Sequence, residues 1–248
     1  MNRTIFSFLV TFLAGISTIL GIIPCFFNNK YKNTIISFSL AFAAGVMLTI
    51  SFLSLIPEAF SLFSNLFFTF PTLLILLIFI VIGIIFSSII DSSIEKKFNN
   101  NLYKLGIISV IALVIHNIPE GITTFVSTSH DLKLGLNLSL AIALHNIPEG
   151  ISIAIPIYYS TGNLYKAFFY TIFAGFSELF GAVIAYLFIA QYVNNFILGI
   201  ILAITAGIMT HISIYELIPN SLEYKKNKTF IFGLILGIMV MLLCEYFL

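Results

Sequence analysis

The chain is 248 residues long, 60% hydrophobic and only 8% charged, with a mean hydropathy of +1.11. Water-soluble domains carry about 25% charged residues, so most of this surface does not face water. Eleven Lys and Arg against ten Asp and Glu exclude a general basic surface, and with it a nucleic-acid partner. A hydrocarbon core about 30 Å thick takes roughly 20 apolar residues per helix. The chain reads as eight such helices, near 4–27, 34–60, 70–90, 104–128, 134–159, 164–190, 195–220 and 229–247. The first run follows Arg3 and is longer than a signal core of about 7–15 residues, with no small-residue cleavage site, so it reads as a span. The breaks are polar: Asn28-Asn29-Lys30, Asp91 through Asn101, Ser129-His130-Asp131, Gly162-Asn163, Val193-Asn194-Asn195 and Lys225-Lys226-Asn227-Lys228. The break at Phe60–Phe70 is apolar and its limits are blurred.

With eight spans the connections alternate between two sides. One side receives Lys30, Lys32, Lys96, Lys97, Lys104, Lys166, Lys225, Lys226 and Lys228, and the other only Arg3 and Lys133. Positive charge marks the cytoplasmic side, which places both termini outside.

Two internal repeats stand out. His116-Asn117-Ile118-Pro119-Glu120-Gly121-Ile122 recurs as His145-Asn146-Ile147-Pro148-Glu149-Gly150-Ile151, one helix and a turn later. In the second, Ala44-Gly45, Met47, Ile50-Ser51 and Leu55-Ile56-Pro57 match Ala206-Gly207, Met209, Ile212-Ser213 and Leu217-Ile218-Pro219. These lie on the second and seventh helices, which run antiparallel, so this is an inverted repeat. Transporters commonly place their substrate site at the interface of such repeats, near mid-membrane.

A charge at the centre of a span costs roughly 2.5–3.5 kcal/mol on insertion scales. Glu120, Glu149 and Glu178 fall in such places, and no Lys or Arg shares their spans at matching depth. Histidines accompany them instead, and carboxylate with imidazole is a donor set that a divalent cation neutralises. Cys25 and Cys244 are the only cysteines, so metal chemistry here must use nitrogen and oxygen. At about 100° per residue, Glu120 lies roughly 40° from His116 and 60° from Asn117 on its other side. The same holds for Glu149 beside His145 and Asn146. Two facing copies build adjacent sites, with the glutamates bridging two metals. Pro119 and Pro148 free the carbonyls of Ile115 and Leu144 beside these ligands, and irregular backbone is tolerated where it lines a cavity. The competing reading is a packing kink whose polar residues bond helix to helix, which two copies of one motif make improbable.

Other candidates are weaker. Glu216 suits a route or gate, and His211, five residues before it, falls about 140° away on an ideal helix. Met47 and Ser54 share a face of the second helix, where methionine is more often packing than ligand. His130 and Asp131 read as a solvated loop, and the lysine-bearing loops as cytoplasmic anchors.

These residues resemble the ZIP (Zrt-, Irt-like) family of metal transporters, and within it the ZupT-like branch. The likeness runs through Phe42–Met47 and Pro57-Glu58-Ala59, both HNIPEG segments, Ser177-Glu178, Ala206–Met209 and Glu216–Pro219. It implies eight helices with both termini outside and a binuclear site on helices four to six. Carried onto this chain, His116, His145, Glu120 and Glu149 would form one site. Asn117, Asn146, Glu178 and the same two glutamates would form the other. Met47 matches a helix-two position that supplies a ligand in some similar proteins. Three features depart from the pattern: residues 91–104 lack a histidine-rich loop, Ser54 stands where some relatives have histidine, and Leu179 stands where proline often follows the acid.

The expectation is an all-α integral membrane protein, one inverted-repeat transmembrane domain over 1–248 in a cell membrane. Zinc is its first cargo, with iron, manganese and cadmium also suited to such ligands, carried into the cytoplasm by alternating access. No catalytic cofactor is called for, and a homodimer is an admissible assembly. The rival from another class is an intramembrane metalloprotease, which needs His-Glu-x-x-His. Here Asn117 and Asn146 occupy the place of its general base and no second histidine follows at four, so the chain is expected not to be an enzyme. An exporter of another family differs from the leading reading only in direction.

Overall fold

The computed structural model describes residues 3–27, 29–95, 101–130, 132–189 and 195–247. Among them there is no strand. The spans are α1 (Arg3–Phe26), α2 (Lys32–Ser64), α3 (Thr69–Glu95), α4 (Asn101–His130), α5 (Leu132–Thr161), α6 (Leu164–Phe188), α7 (Asn195–Leu222) and α8 (Asn227–Phe247). All but α5 are long and apolar enough, by length and composition, to cross a membrane. At 30 residues α5 rises about 45 Å, more than a hydrocarbon core needs. The chain is an all-α, multi-pass membrane protein.

Most helix ends fall within a few residues of their expected places. The largest shift is in α3, which runs on to Glu95 and takes Asp91 into the helix. The break expected at Ser129–Asp131 narrows, because α4 continues to His130 and α5 starts at Leu132. Asp131 and the side chain of His130, expected to be solvated, lie outside the described residues, as do Asn28, Lys96, Lys97 and Asn194. The Gly162-Asn163 break is a tight turn. Gly162 takes a φ of 67°, where a side chain would be strained, and its N–H donates to the Tyr158 carbonyl at 2.7 Å. Asn163 then caps α6, its Oδ1 accepting from the Lys166 N–H at 3.1 Å.

The inverted repeat is structural as well as sequential. Both α2 and α7 open into a π turn just ahead of their prolines, over Ser51–Leu55 and Ile212–Leu217. Pro57 and Pro219 have no N–H, and the amides before them, Ile56 and Ile218, donate five residues back to the carbonyls of Ser51 and Ser213. The same serines donate their hydroxyls to the carbonyls of Met47 and Met209, each at 2.8 Å. The helices run antiparallel: Ser37, early in α2, meets Ser221, at the end of α7, whose hydroxyl donates to the Ser37 carbonyl at 2.6 Å. Each hydroxyl-to-carbonyl bond is worth about 1 kcal/mol. The Ser51→Ala, Ser213→Ala double variant should therefore lose about 2 kcal/mol, read as a lower thermal midpoint in detergent. An unchanged midpoint would mean that the prolines hold both turns without help.

The π turn in α7 also alters one angular expectation. His211 and Glu216 fall on different faces of an ideal α-helix, but a π turn closes after five residues and returns them to one side. Both are buried, and His211 stacks on Tyr215 with ring centroids 4.9 Å apart.

Packing sorts the spans into two groups. Helices α1, α4, α5 and α6 pack closely on one another, as do α2, α3, α7 and α8, while fewer contacts join the groups, chiefly between α2 and α5. Large apolar side chains on the outer faces of α3 and α8, such as Leu77, Ile85, Phe232 and Leu243, are exposed, as lipid-facing positions should be.

Candidate metal centre

The seven residues singled out by the sequence are all buried, none more than 6% exposed: His116, Asn117 and Glu120 on α4, His145, Asn146 and Glu149 on α5, and Glu178 on α6. The close approach of these helices is written into the motif itself. A Cβ on Gly121 would collide with the Glu178 carbonyl oxygen, and one on Gly150 with the Thr18 carbonyl oxygen of α1. The glycine after each motif glutamate thus lets a neighbouring backbone come against the motif helix. Both helices continue unbroken through Pro119 and Pro148. Likewise α6 is helical through Glu178-Leu179.

The first group is a knot of imidazoles and carboxylates. Glu120 Oε1 lies 2.8 Å from His145 Nε2 and 3.1 Å from His116 Nε2, and His116 Nε2 lies 3.1 Å from Glu149 Oε1. One turn of helix brings His116 onto Glu120, as the spacing required. Candidate ligand atoms of His116, Glu120 and His145 all lie within 4.8 Å of one another. Among the described residues no Lys or Arg pairs with these carboxylates.

The second group is organised by backbone carbonyls. Asn117 donates its amide nitrogen to the Ala174 carbonyl of α6 at 3.2 Å, one turn ahead of Glu178. Asn146 donates to the Ala14 carbonyl of α1 at 2.9 Å and to Glu178 Oε1. A carbonyl can only accept, so each contact fixes which way the amide faces. What remains is a set of buried oxygens without a hydrogen-bond donor: Asn117 Oδ1, Asn146 Oδ1, Glu120 Oε2, Glu178 Oε2 and both oxygens of Glu149. Buried acceptors are ordinarily paired, and a group of unpaired ones is what an oxygen-ligated cation satisfies.

A cavity of about 230 Å³ reaches this cluster from one side. Glu120 and His145 lie in its wall with Thr123, and α2 contributes Ser54 and Glu58. It lies toward the end of α2 away from Lys32. The inverted-repeat helices therefore flank an approach to the cluster, while the cluster itself is built on α4, α5 and α6. Met47 is fully buried in the apolar core with Ile50 and Met209. The part of α1 is not visible in the sequence: the Ala14 carbonyl aims Asn146, and a backbone acceptor leaves no mark in side-chain spacing.

The family model described as ZIP zinc transporter matches residues 95–245. The chain is 36% identical over 256 residues to the zinc transporter ZupT of Streptococcus mutans, covering 97% of both proteins. It is 35% identical over 271 residues to that of Clostridium perfringens, covering 97% of this chain and 95% of the relative. To the zinc transporter ZupT of Oceanobacillus iheyensis it is 37% identical over 260 residues, again with 97% of both covered. With the helices that carry both HNIPEG motifs inside the matched segment and 97% of its length aligned to such a relative, the chain belongs to the ZIP zinc transporter family.

Proposed function

We propose that this chain carries zinc across a cell membrane into the cytoplasm through a two-metal site at the meeting of α4, α5 and α6, the whole of 1–248 acting as one transport domain. The observation that carries this reading is the buried cluster of carboxylates, imidazoles and amide oxygens, with no Lys or Arg paired to it among the described residues. His116, His145, Glu120 and Glu149 hold one ion. Asn117, Asn146 and Glu178 hold the other, with Glu120 and Glu149 reaching both. The first set is nitrogen-rich and suits zinc. The second, all oxygen, is harder and admits iron and manganese as further cargo, while cadmium, a softer ion, suits the set that carries the imidazoles. The positive-inside bias sets which ends face the cytoplasm, and family membership supports zinc as substrate and uptake as the direction. A homodimer in the bilayer is compatible with the lipid-facing surfaces.

The test is metal uptake into proteoliposomes with zinc, iron, manganese and cadmium in competition, beside the count of ions bound per chain. Two bound zinc ions and zinc-first competition are expected. A single bound ion, or none, overturns the two-metal reading.

Proton release tests the same site. Nitrogen and oxygen at 2.8 Å, as in His145 and Glu120, require a hydrogen between them, and a metal on Nε2 must displace it. Zinc binding should release protons, and affinity should fall as pH is lowered because proton and metal compete for one nitrogen. Calorimetry in two buffers of different ionisation enthalpy measures the release, and identical heats in both would contradict it.

A further inference from the structure

The two halves of the seam between the helix groups differ. Toward the far end it holds the cavity that reaches Glu120 and His145. Toward the lysine-rich end it is closed by buried apolar side chains from both groups, including Ile36 and Leu40 of α2, Leu105 of α4 and Ile157 of α5. Charged contacts cross the seam at that end. Lys104 of α4 places its Nζ 3.0 Å from Asp91 Oδ1 of α3 and 4.0 Å from Glu216 Oε1 of α7. Lys32 of α2 donates to the Tyr159 carbonyl of α5 at 3.1 Å and lies over the Tyr159 ring.

Lys104 is the stronger of these links. It sits on the helix that carries His116, Asn117 and Glu120, sixteen residues or about 24 Å along the axis from Glu120. Asp91 and Glu216 both belong to the other group, and all three side chains are largely enclosed, at 13%, 23% and 8% exposure for Lys104, Asp91 and Glu216. We infer that Lys104 is a positioning residue for transport, an internal cation that holds α4 against α3 and α7 and keeps the lysine-rich half of the seam shut while the far half is open. This rests on the transport reading above.

The physical basis is a difference between two states. Enclosed, the ammonium and its two carboxylates attract one another through a medium of low polarity. When that half opens, water enters and screens them, so the pairing loses most of its worth. An interaction present in only one of two states shifts the equilibrium toward it. The residue is not a cargo ligand, and its loss should alter which end is accessible while leaving the α4–α6 site able to hold metal.

The test reads accessibility and needs no zinc. In a Cys25→Ser, Cys244→Ser background, single cysteines replace Ile108 or Thr123. Ile108 lies one turn beyond Lys104 on the same helix face and is 1% exposed, while Thr123 lines the open cavity. Each is alkylated with an impermeant maleimide in nanodiscs, where both ends are reachable. Replacing Lys104 by Gln should speed modification at 108 by on the order of tenfold and slow it at 123, whereas Lys104→Arg should keep both rates near those of the parent. Unchanged rates at both positions overturn the proposal. So does acceleration at both, which marks loosening of the whole protein, or Arg behaving as Gln does. Failure of zinc uptake in the parent chain would instead count against the transport reading and leave these rates untouched.

Discussion

Glu149→Ala is expected to abolish zinc transport, with binding weakened at both metal positions at once. Glu149 is 0% exposed, lies 3.1 Å from His116, and has both carboxylate oxygens without a hydrogen-bond donor. Truncating one partner of a buried charge pair costs about 2–5 kcal/mol, a factor of roughly 30 to several thousand in affinity. A bridging carboxylate suffers that loss at two ions, so flux in proteoliposomes should fall to background. Glu120→Ala should match it, because Glu120 contacts both histidines. The stability of the metal-free protein should move the other way. Several carboxylates crowded in a dry interior repel one another, and removing one charge relieves that repulsion. Glu149→Gln, which keeps the shape, should thus melt at or above the parent without metal and lose the upward shift that zinc confers on the parent. Zinc flux or a zinc-dependent thermal shift at parental levels in these variants would dismiss the site.

Gly121→Ala should cost about 1–3 kcal/mol or more in stability, the range for forcing an extra methyl into a tight core. Its Cβ would collide with the backbone carbonyl oxygen of Glu178, and backbone cannot swing aside as a side-chain tip can. Relief requires α6 to move off α4, which carries Glu178 away from Asn146 and loosens the Asn117 contact to Ala174. The position built on His116, His145 and Glu120 depends on α4 and α5 alone. Metal counting on whatever folds should therefore fall from two zinc ions to one. Gly150→Ala should damage the same position from the opposite side, since it displaces α1, whose Ala14 carbonyl orients Asn146. Full expression with two bound ions in either variant would show that the helices have room to spare.

The site is most legible in the sequence where one helix alone sets the answer. His116 and Glu120 are one turn apart, so α-helical spacing suffices to bring them together, and 3.1 Å separates them in the fold. The duplicated motif and the lack of basic residues at its depth identified the buried acids. Side-chain spacing misleads where local backbone departs from the ideal. For His211 and Glu216, regular α-helical spacing puts about 140° between them, and the π turn over Ile212–Leu217 narrows that offset. The matching turn in α2 was equally invisible, although the shared Ser and Pro positions contained its cause. Asp91 was assigned to a loop because polar residues follow it, yet α3 carries it as far as the contact with Lys104.

The sequence by itself determined that this is a membrane protein of eight helices, because so few charges over so long a chain leave no other solvent for it. It also singled out Glu120, Glu149 and Glu178 as acids inside the spans, because each falls in an apolar run with no Lys or Arg at its depth. Only the tertiary structure decided how the asparagines face, through the carbonyls of Ala14 and Ala174, and which end of the seam is closed, through Lys104 on Asp91 and Glu216. The reason is range. Burial cost and helical period act on a residue and its neighbours one turn away, whereas a backbone acceptor or an ion pair joins segments that no spacing relates.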